Sequence, residues 1–268
     1  MDFEIITIFP DLIEAVAPYG VVGRARMHPS GDNVGASCAQ SAGASSGRQS
    51  GSYRLRCWNP RDFTFDNYRR VDDRPYGGGP GMVMLAEPLL RCVQAIRETR
   101  AAEGLPDLPL IHLSPQGQPF SQARARQMAA TPGAILLCGR YEAIDQRFLD
   151  AMVDEEISMG DFVVSGGELP AMLVLDAVVR LLPGVLNDGA SAEQDSFENG
   201  LLDCPHYTRP EQLSGLPRDV APGVPPVLLS GNHREIDRWR LERSREATAK
   251  KRPDLLARAP LDTSRKKA

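Results

Sequence analysis

The sequence predicts an α/β protein built on a mostly parallel sheet, followed by a smaller, mainly helical C-terminal domain. Three observations carry this. Short apolar runs alternate with helix-length segments up to about residue 186, the pattern of βαβ units. A polar stretch, NDGASAEQDSFENG (187–200), then separates an apolar helix from a Pro-studded segment and reads as an interdomain linker. Beyond it, HREIDRWRLERSREATAKKRPDLL is rich in helix formers, with Pro253 marking where that helix stops or kinks.

Taken in order, FEIITIF (3–9) and LRCW (55–58) read as strands, and AEPLLRCVQAIRETRAAEG (86–104) as a helix. LPLIHLS (108–114), AILLCG (134–139) and EEISMGDFVV (155–164) are further strands, and LPAMLVLDAVVRLL (169–182) is an apolar helix. Between the first two strands, residues 29–52 are rich in Ser, Gly and Ala, with almost nothing large to bury. They are expected to be a mobile surface loop without chemistry. The expected division is therefore a domain over 1–186, a linker over 187–200 and a helical domain over 201–268.

Composition narrows the function. The first residues, MDFEIITIFPDL, are acidic where a secretory signal is basic, and no apolar run approaches a membrane span, so a cytoplasmic location is expected. The five cysteines are scattered, with no CxxC pair, which points away from a disulfide framework or zinc site. The four histidines show no HExxH spacing and no metal cluster, and there is no GxSxG elbow. The formal charge of −4 is uneven: residues 234–268 hold 12 Lys+Arg against 6 Asp+Glu, or +6, leaving −10 for the rest. A basic appendage on an acidic body suits a polyphosphate backbone, although a solvated arginine-rich helix has the same composition.

Three glycine-bearing loops follow three of the strands: SPQG (114–117), GRYEAID (139–145) and GDFVVSGGELP (160–170). Ligands of open α/β sheets bind at the carboxyl ends of strands, where glycine lets the backbone approach them. One pocket built from all three loops is the economical expectation. A fourth segment, YGGGPGM (76–82), lacks the Lys-Ser/Thr of a Walker loop and has Met82 where a dinucleotide fingerprint needs glycine. It reads as a tight, backbone-packed turn, with Asp72, Asp73 and Arg74 holding it or lining a cleft.

Six blocks, NPRDFTFDNYRRVDDRPYGGGPGM, LSPQGQPF, LLCGRYEAIDQR, EEISMGDFVVSGGELPAM, DSFENGLLDCPHYTRP and VLLSGNHREIDRWR, occur in this order. Together they resemble the bacterial tRNA (guanine-N1)-methyltransferase family. The resemblance implies a SPOUT fold, whose sheet is threaded into a deep trefoil knot that binds S-adenosylmethionine. Patterning alone would discard such a topology, because knots are so rare. It further implies a homodimer whose active site lies at the subunit interface, tRNA as substrate with N1 of guanine 37 as target, and a Mg²⁺ requirement for which no site is visible.

Carried over by motif, the donor pocket comprises Leu113, Ser114 and Pro115; Gly139, Tyr141 and Glu142; and Ser158, Met159, Gly160, Asp161, Phe162, Val163, Val164, Gly166, Gly167 and Pro170. The resemblance makes Asp195 the general base, Arg180 its partner and Asp203 a residue that places the target base. These residue types suit the chemistry. Guanine N1 must lose a proton before it attacks, and negative charge then grows on O6, where an arginine stabilises it. The resemblance also lets the linker remain disordered until both substrates bind, with Phe197 or Tyr207 stacking on an extruded guanine. Without the resemblance, Asp195 reads as a helix cap and Arg180 as a snorkelling side chain. Ala143 stands where the motif usually has glycine, Phe162 where tyrosine is common, and residues 29–52 are an insertion. A knotted methyltransferase acting on another RNA target, or a non-catalytic RNA-binding protein, are the alternatives.

Overall fold

The computed structural model describes residues 1–27, 52–186, 195–213, 215 and 223–258. The expected loop at 29–52 lies outside the described residues except for Ser52, and so does the 187–194 part of the expected linker. The chain forms two compact units, Met1–Gly189 and Ala190–Ala268.

The first unit runs β1 (Asp2–Ile6), α1 (Pro10–Val16), α2 (Gly20–Ala25), β2 (Arg54–Trp58), β3 (Asp72–Asp73), β4 (Val83–Met84) and α3 (Ala86–Ala102). It continues with β5 (Leu110–Pro119), α4 (Gln122–Ala129), β6 (Gly133–Leu137), β7 (Ala143–Ile144), α5 (Gln146–Met152), β8 (Glu155–Ser158) and α6 (Glu168–Val179). Five strands form one sheet in the order β2-β1-β6-β5-β8, every pairing parallel. The expected α/β class with a mostly parallel sheet is therefore what the chain adopts.

Successive side chains on a strand face opposite ways, and here each face meets its own core. Ala134 and Leu136 of β6 join Phe3, Ile5 and Ile111 against α1, α2, α4 and α6. Ile135 and Leu137 join Ile6 and Leu110 against α3 and α5. All five residues of β6 are buried, as a central parallel strand covered on both sides requires. Two helices begin on side-chain caps: Ser121 Oγ accepts from Arg124 N at 3.2 Å, and the Asp145 carboxylate accepts from Arg147 N at 3.0 Å.

Two strands depart from the expectation, both beside the pocket. β5 does not end before SPQG. It resumes beyond it, with Leu113 and Gln118 both facing Ile157 of β8, so residues 114–117 are extruded from an otherwise continuous pairing. The run EEISMGDFVV is strand only over Glu155–Ser158, because Gly160 at φ +133° turns the chain and Phe162 N donates back to Gly160 O at 2.9 Å.

A buried polar cluster ties β1, β2 and α3 together. Glu4, 1% exposed, accepts from Arg56 Nη2 at 2.6 Å, Trp58 Nε1 at 2.7 Å and Arg100 Nη1 at 3.1 Å. Arg100 is also 1% exposed and donates to Asp2 Oδ2 at 3.0 Å. Burial pushes the Asp2 carboxyl up, but Arg54 and Arg100 outweigh it and hold it below the ordinary carboxylate range. Its contribution to stability is thus present above that range and lost only on acidification below it. Glu4→Ala leaves Arg100 buried with Asp2 as its remaining carboxylate. Urea denaturation is expected to show a loss of about 3 kcal/mol.

In the second unit, α7 (Pro226–Leu229) precedes α8 (His233–Lys251), which stops at Arg252 before Pro253 opens α9 (Pro253–Arg258). Proline disfavours the helical region for the residue before it, and Arg252 sits at φ −143°, ψ 62°. Residues 195–213 are turn and coil, anchored to α8 where Leu202 N donates to the buried Thr248 Oγ1 at 2.9 Å. Among the described residues, no helix is long and apolar enough to cross a membrane.

Candidate functional site

At the interruption in β5 and the carboxyl ends of β6 and β8, the three expected loops converge on one pocket of about 590 Å³. This lies within the ~300–1,000 Å³ typical of small-molecule sites. Leu113–Pro115, Gly139, Tyr141, Glu142, Ser158–Gly160, Phe162–Val164, Gly166, Gly167 and Pro170 all line it. Asp161 is the one expected donor residue that does not.

The glycines of these loops are there for close approach. A Cβ on Gly117 would meet the backbone of Glu156 and Ile157 at 2.4 Å, so glycine lets the extruded first loop lie flat on β8. One on Gly167 would meet Cys138 Cα at 2.6 Å, where the Gly167 N–H donates to Gly139 O at 3.0 Å. The second loop turns at Tyr141, a non-glycine residue at φ +63°. Its hydroxyl is held between Asp72 and Arg61, whose Nη2 lies 3.3 Å away. Burial, then the Asp72 carboxylate, pushes the Tyr141 hydroxyl up, so it stays protonated and donates to Asp72. Asp72 therefore supports the pocket rim.

YGGGPGM is brought alongside by the small sheet β3-β4-β7, in which Val83 pairs with Ala143. The expectation of a backbone-packed turn needs correction. Gly77, Gly78 and Gly79 lie at φ +83°, +78° and +126°, with open space where a Cβ would sit. Conformation, not packing, selects them. Only Gly81 is crowded, against the Glu142 side chain at 2.4 Å.

Arg180 and Asp195 are not among the residues that line this pocket. Arg180 occupies the C-cap of α6. Asp195 belongs to the second unit and opens a turn in which Glu198 N donates to Asp195 O at 3.4 Å and Gly200 N to Phe197 O at 3.4 Å. Asp203 N donates to Ser196 Oγ at 3.0 Å, and the Asp203 carboxylate contacts His206 Nε2 at 2.7 Å and accepts from Cys204 N at 2.6 Å. Burial raises the Asp203 carboxyl, yet His206 and the Cys204 amide outweigh it and hold it below the usual range, as a carboxylate at neutral pH. Phe197 and Tyr207 are each about half exposed, Phe197 beneath Arg252 at 5.9 Å and Tyr207 beside Trp239 at 6.2 Å.

The sequence reading found no metal cluster, but Asp203, Cys204 and His206 have ligand atoms within 4.8 Å of one another. Burial pushes the Cys204 thiol up, so it is protonated and a poor ligand, and the carboxylate is already engaged. Cys57 and Cys92 are likewise pushed up to about 12 by burial. A second cavity of about 480 Å³, within the C-terminal unit, carries Arg209 and Arg240 beside Tyr207, over apolar Leu228 and Ile236.

Sequence reasoning missed three pocket residues and a fourth behind them. His112 lines the pocket with its Nδ1 2.9 Å from Glu156 Oε1. Arg140 also lines it and pairs with Glu168, which in turn meets Thr7. The available signal was a charged residue set against glycine in each of two motifs, Arg140 in GRYEAID and Glu168 in GDFVVSGGELP.

The fold and pocket define an α/β enzyme class: a parallel sheet whose glycine loops enclose a pocket of small-molecule size, followed in the chain by a second unit that carries α7, α8 and α9. Residues 34–258 match the tRNA (Guanine-1)-methyltransferase TrmD family. The chain is 53% identical over 259 residues to the tRNA (guanine-N(1)-)-methyltransferases of Burkholderia mallei (strain SAVP1) and Burkholderia pseudomallei (strain K96243), covering 97% of this chain and 88% of each relative. The chain belongs to the tRNA (guanine-N1)-methyltransferase family.

Proposed function

We propose that this protein transfers the methyl group of S-adenosylmethionine to N1 of guanine 37 in tRNA. The observation that carries the donor site is the convergence of three glycine loops on one pocket at the carboxyl ends of the strands. The lining fits the donor's chemistry. Apolar Leu113, Val163 and Pro170 offer a surface for adenine, and the Glu142 and Glu156 carboxylates suit a ligand bearing sulfonium and ammonium charges. When bound, S-adenosylmethionine supplies an electrophilic methyl group.

The chain's own residues do the rest. Asp195 takes the N1 proton, and Arg180 stabilises the charge that develops on O6. Asp203, held as a carboxylate, accepts from the target base and orients it. Family membership supports a trefoil knot around the donor loops, a homodimer whose interface completes the site and a cytoplasmic setting. The excess of Arg and Lys on α8, with Arg209 beside Arg240 in the C-terminal cavity, suits the tRNA backbone.

The test is transfer of labelled methyl to two unmodified tRNA transcripts that differ only in guanine or adenine at position 37. Labelling of the guanine transcript alone, at N1, is expected. Equal labelling of both assigns another target, such as a ribose hydroxyl, and tRNA binding without donor binding assigns a non-catalytic role.

A further inference from the structure

Glu168 opens α6 and is wholly buried, with no exposed surface. Its Oε1 accepts from the Thr7 hydroxyl at 2.7 Å, and its Oε2 accepts from Arg140 Nε at 2.8 Å. A carboxylate this deep is tolerated only where its charge and lone pairs are matched. Arg140 carries the chain onward. Its Nη1 donates to Ser165 O at 3.1 Å and to Ser165 Oγ at 3.4 Å, and its guanidinium lies 4.6 Å from the centre of the Phe9 ring.

The two loops are shaped around this contact. A Cβ on Gly166 would sit 2.2 Å from Arg140 Nε, so the arginine of the second loop packs directly on the backbone of the third. Thr7, immediately past β1, fixes the buried end to the sheet. The flanking residues Gly139, Tyr141, Ser165 and Gly167 all line the pocket.

We propose that Arg140, Glu168 and Thr7 are positioning residues, whose hydrogen-bonded chain fixes the width of the cleft between the second and third loops and thereby sets affinity for the methyl donor. This rests on the pocket being the S-adenosylmethionine site. Arginine is required because its planar fork serves Glu168 through Nε and Ser165 through Nη1 at once. A lysine ammonium has the charge without the fork.

The test is calorimetric titration of S-adenosylmethionine into the full-length wild type, Arg140→Lys, Glu168→Gln and the double variant Arg140→Met/Glu168→Leu. It is read beside steady-state kinetics and melting temperature. Arg140→Lys and Glu168→Gln are expected to raise the donor Kd and the donor KM by about tenfold or more, with the KM for tRNA unmoved. The double variant leaves neither charge buried alone, so it folds, yet it too binds donor weakly because the grip on Ser165 is gone. A folded double variant with wild-type donor affinity, or single variants that melt earlier without a change in donor KM, overturns the inference and leaves the donor site standing. Failure of wild type to bind S-adenosylmethionine overturns both.

Discussion

Asp195→Ala is expected to lower kcat for methylation of the guanine-37 transcript by about 10²–10⁴-fold, the usual contribution of a positioned base, while donor affinity stays at the wild-type value. The separation follows from where the groups lie. The proposed donor pocket is lined by residues of the first compact unit alone, and Asp195 belongs to the second. Removing that carboxylate therefore touches proton transfer and leaves the glycine loops as they are. The deficit should shrink as pH rises towards the point where N1 loses its proton unaided, and a rate that stays equally low at high pH rules the base assignment out.

Gly167→Ala is expected to have the second large effect, at the opposite end of the reaction: about a 10²-fold or greater loss of donor affinity. The backbone at Gly167 (φ −75°, ψ −7°) accepts alanine without strain, so the effect is steric. The added methyl would meet Cys138 Cα at 2.6 Å and Gly139 N at 3.1 Å, main-chain atoms just past the end of β6 that cannot turn aside as a side chain would. Relief comes only by parting the second and third loops, which breaks the Gly167-to-Gly139 hydrogen bond. Overpacking of this kind also costs about 1–3 kcal/mol of stability. Calorimetry with S-adenosylmethionine, alongside thermal melting, separates the two losses. Donor affinity at the wild-type value in a folded variant would show that this close approach does not shape the site.

Periodicity made most of the sheet legible. β6 shows an unbroken apolar run because both its faces are covered, and α3 and α6 declare themselves by length and composition. The break in α8 was readable because Pro253 acts on its immediate neighbour. The extrusion of residues 114–117 was not, since strand pairing resumes at Gln118 through backbone groups that every sequence shares. The Arg140–Glu168 pair was hidden for a different reason: the partners are 28 residues apart, and only the side-by-side placement of the β6 end and the α6 start brings them together. Asp195 and Arg180 stayed ambiguous as isolated residues, because neither type nor spacing distinguishes a base and its partner from a cap and a snorkelling arginine. Motif resemblance alone gave them roles.

Part of the pocket's wall is glycine: Gly139, Gly160, Gly166 and Gly167 leave main-chain atoms at its surface, and Ala143 and Phe162, where this chain departs from the family motif, are exposed members of its lining. That part of the wall offers little to mutate. An inhibitor that took its contacts from these main-chain atoms would leave the enzyme few routes to resistance, because the smallest available change, one methyl on a glycine, injures the site for the natural ligand as well. Escape would come more readily through lining side chains such as Phe162 and Val163, and compounds that avoid those two should select resistant variants more slowly.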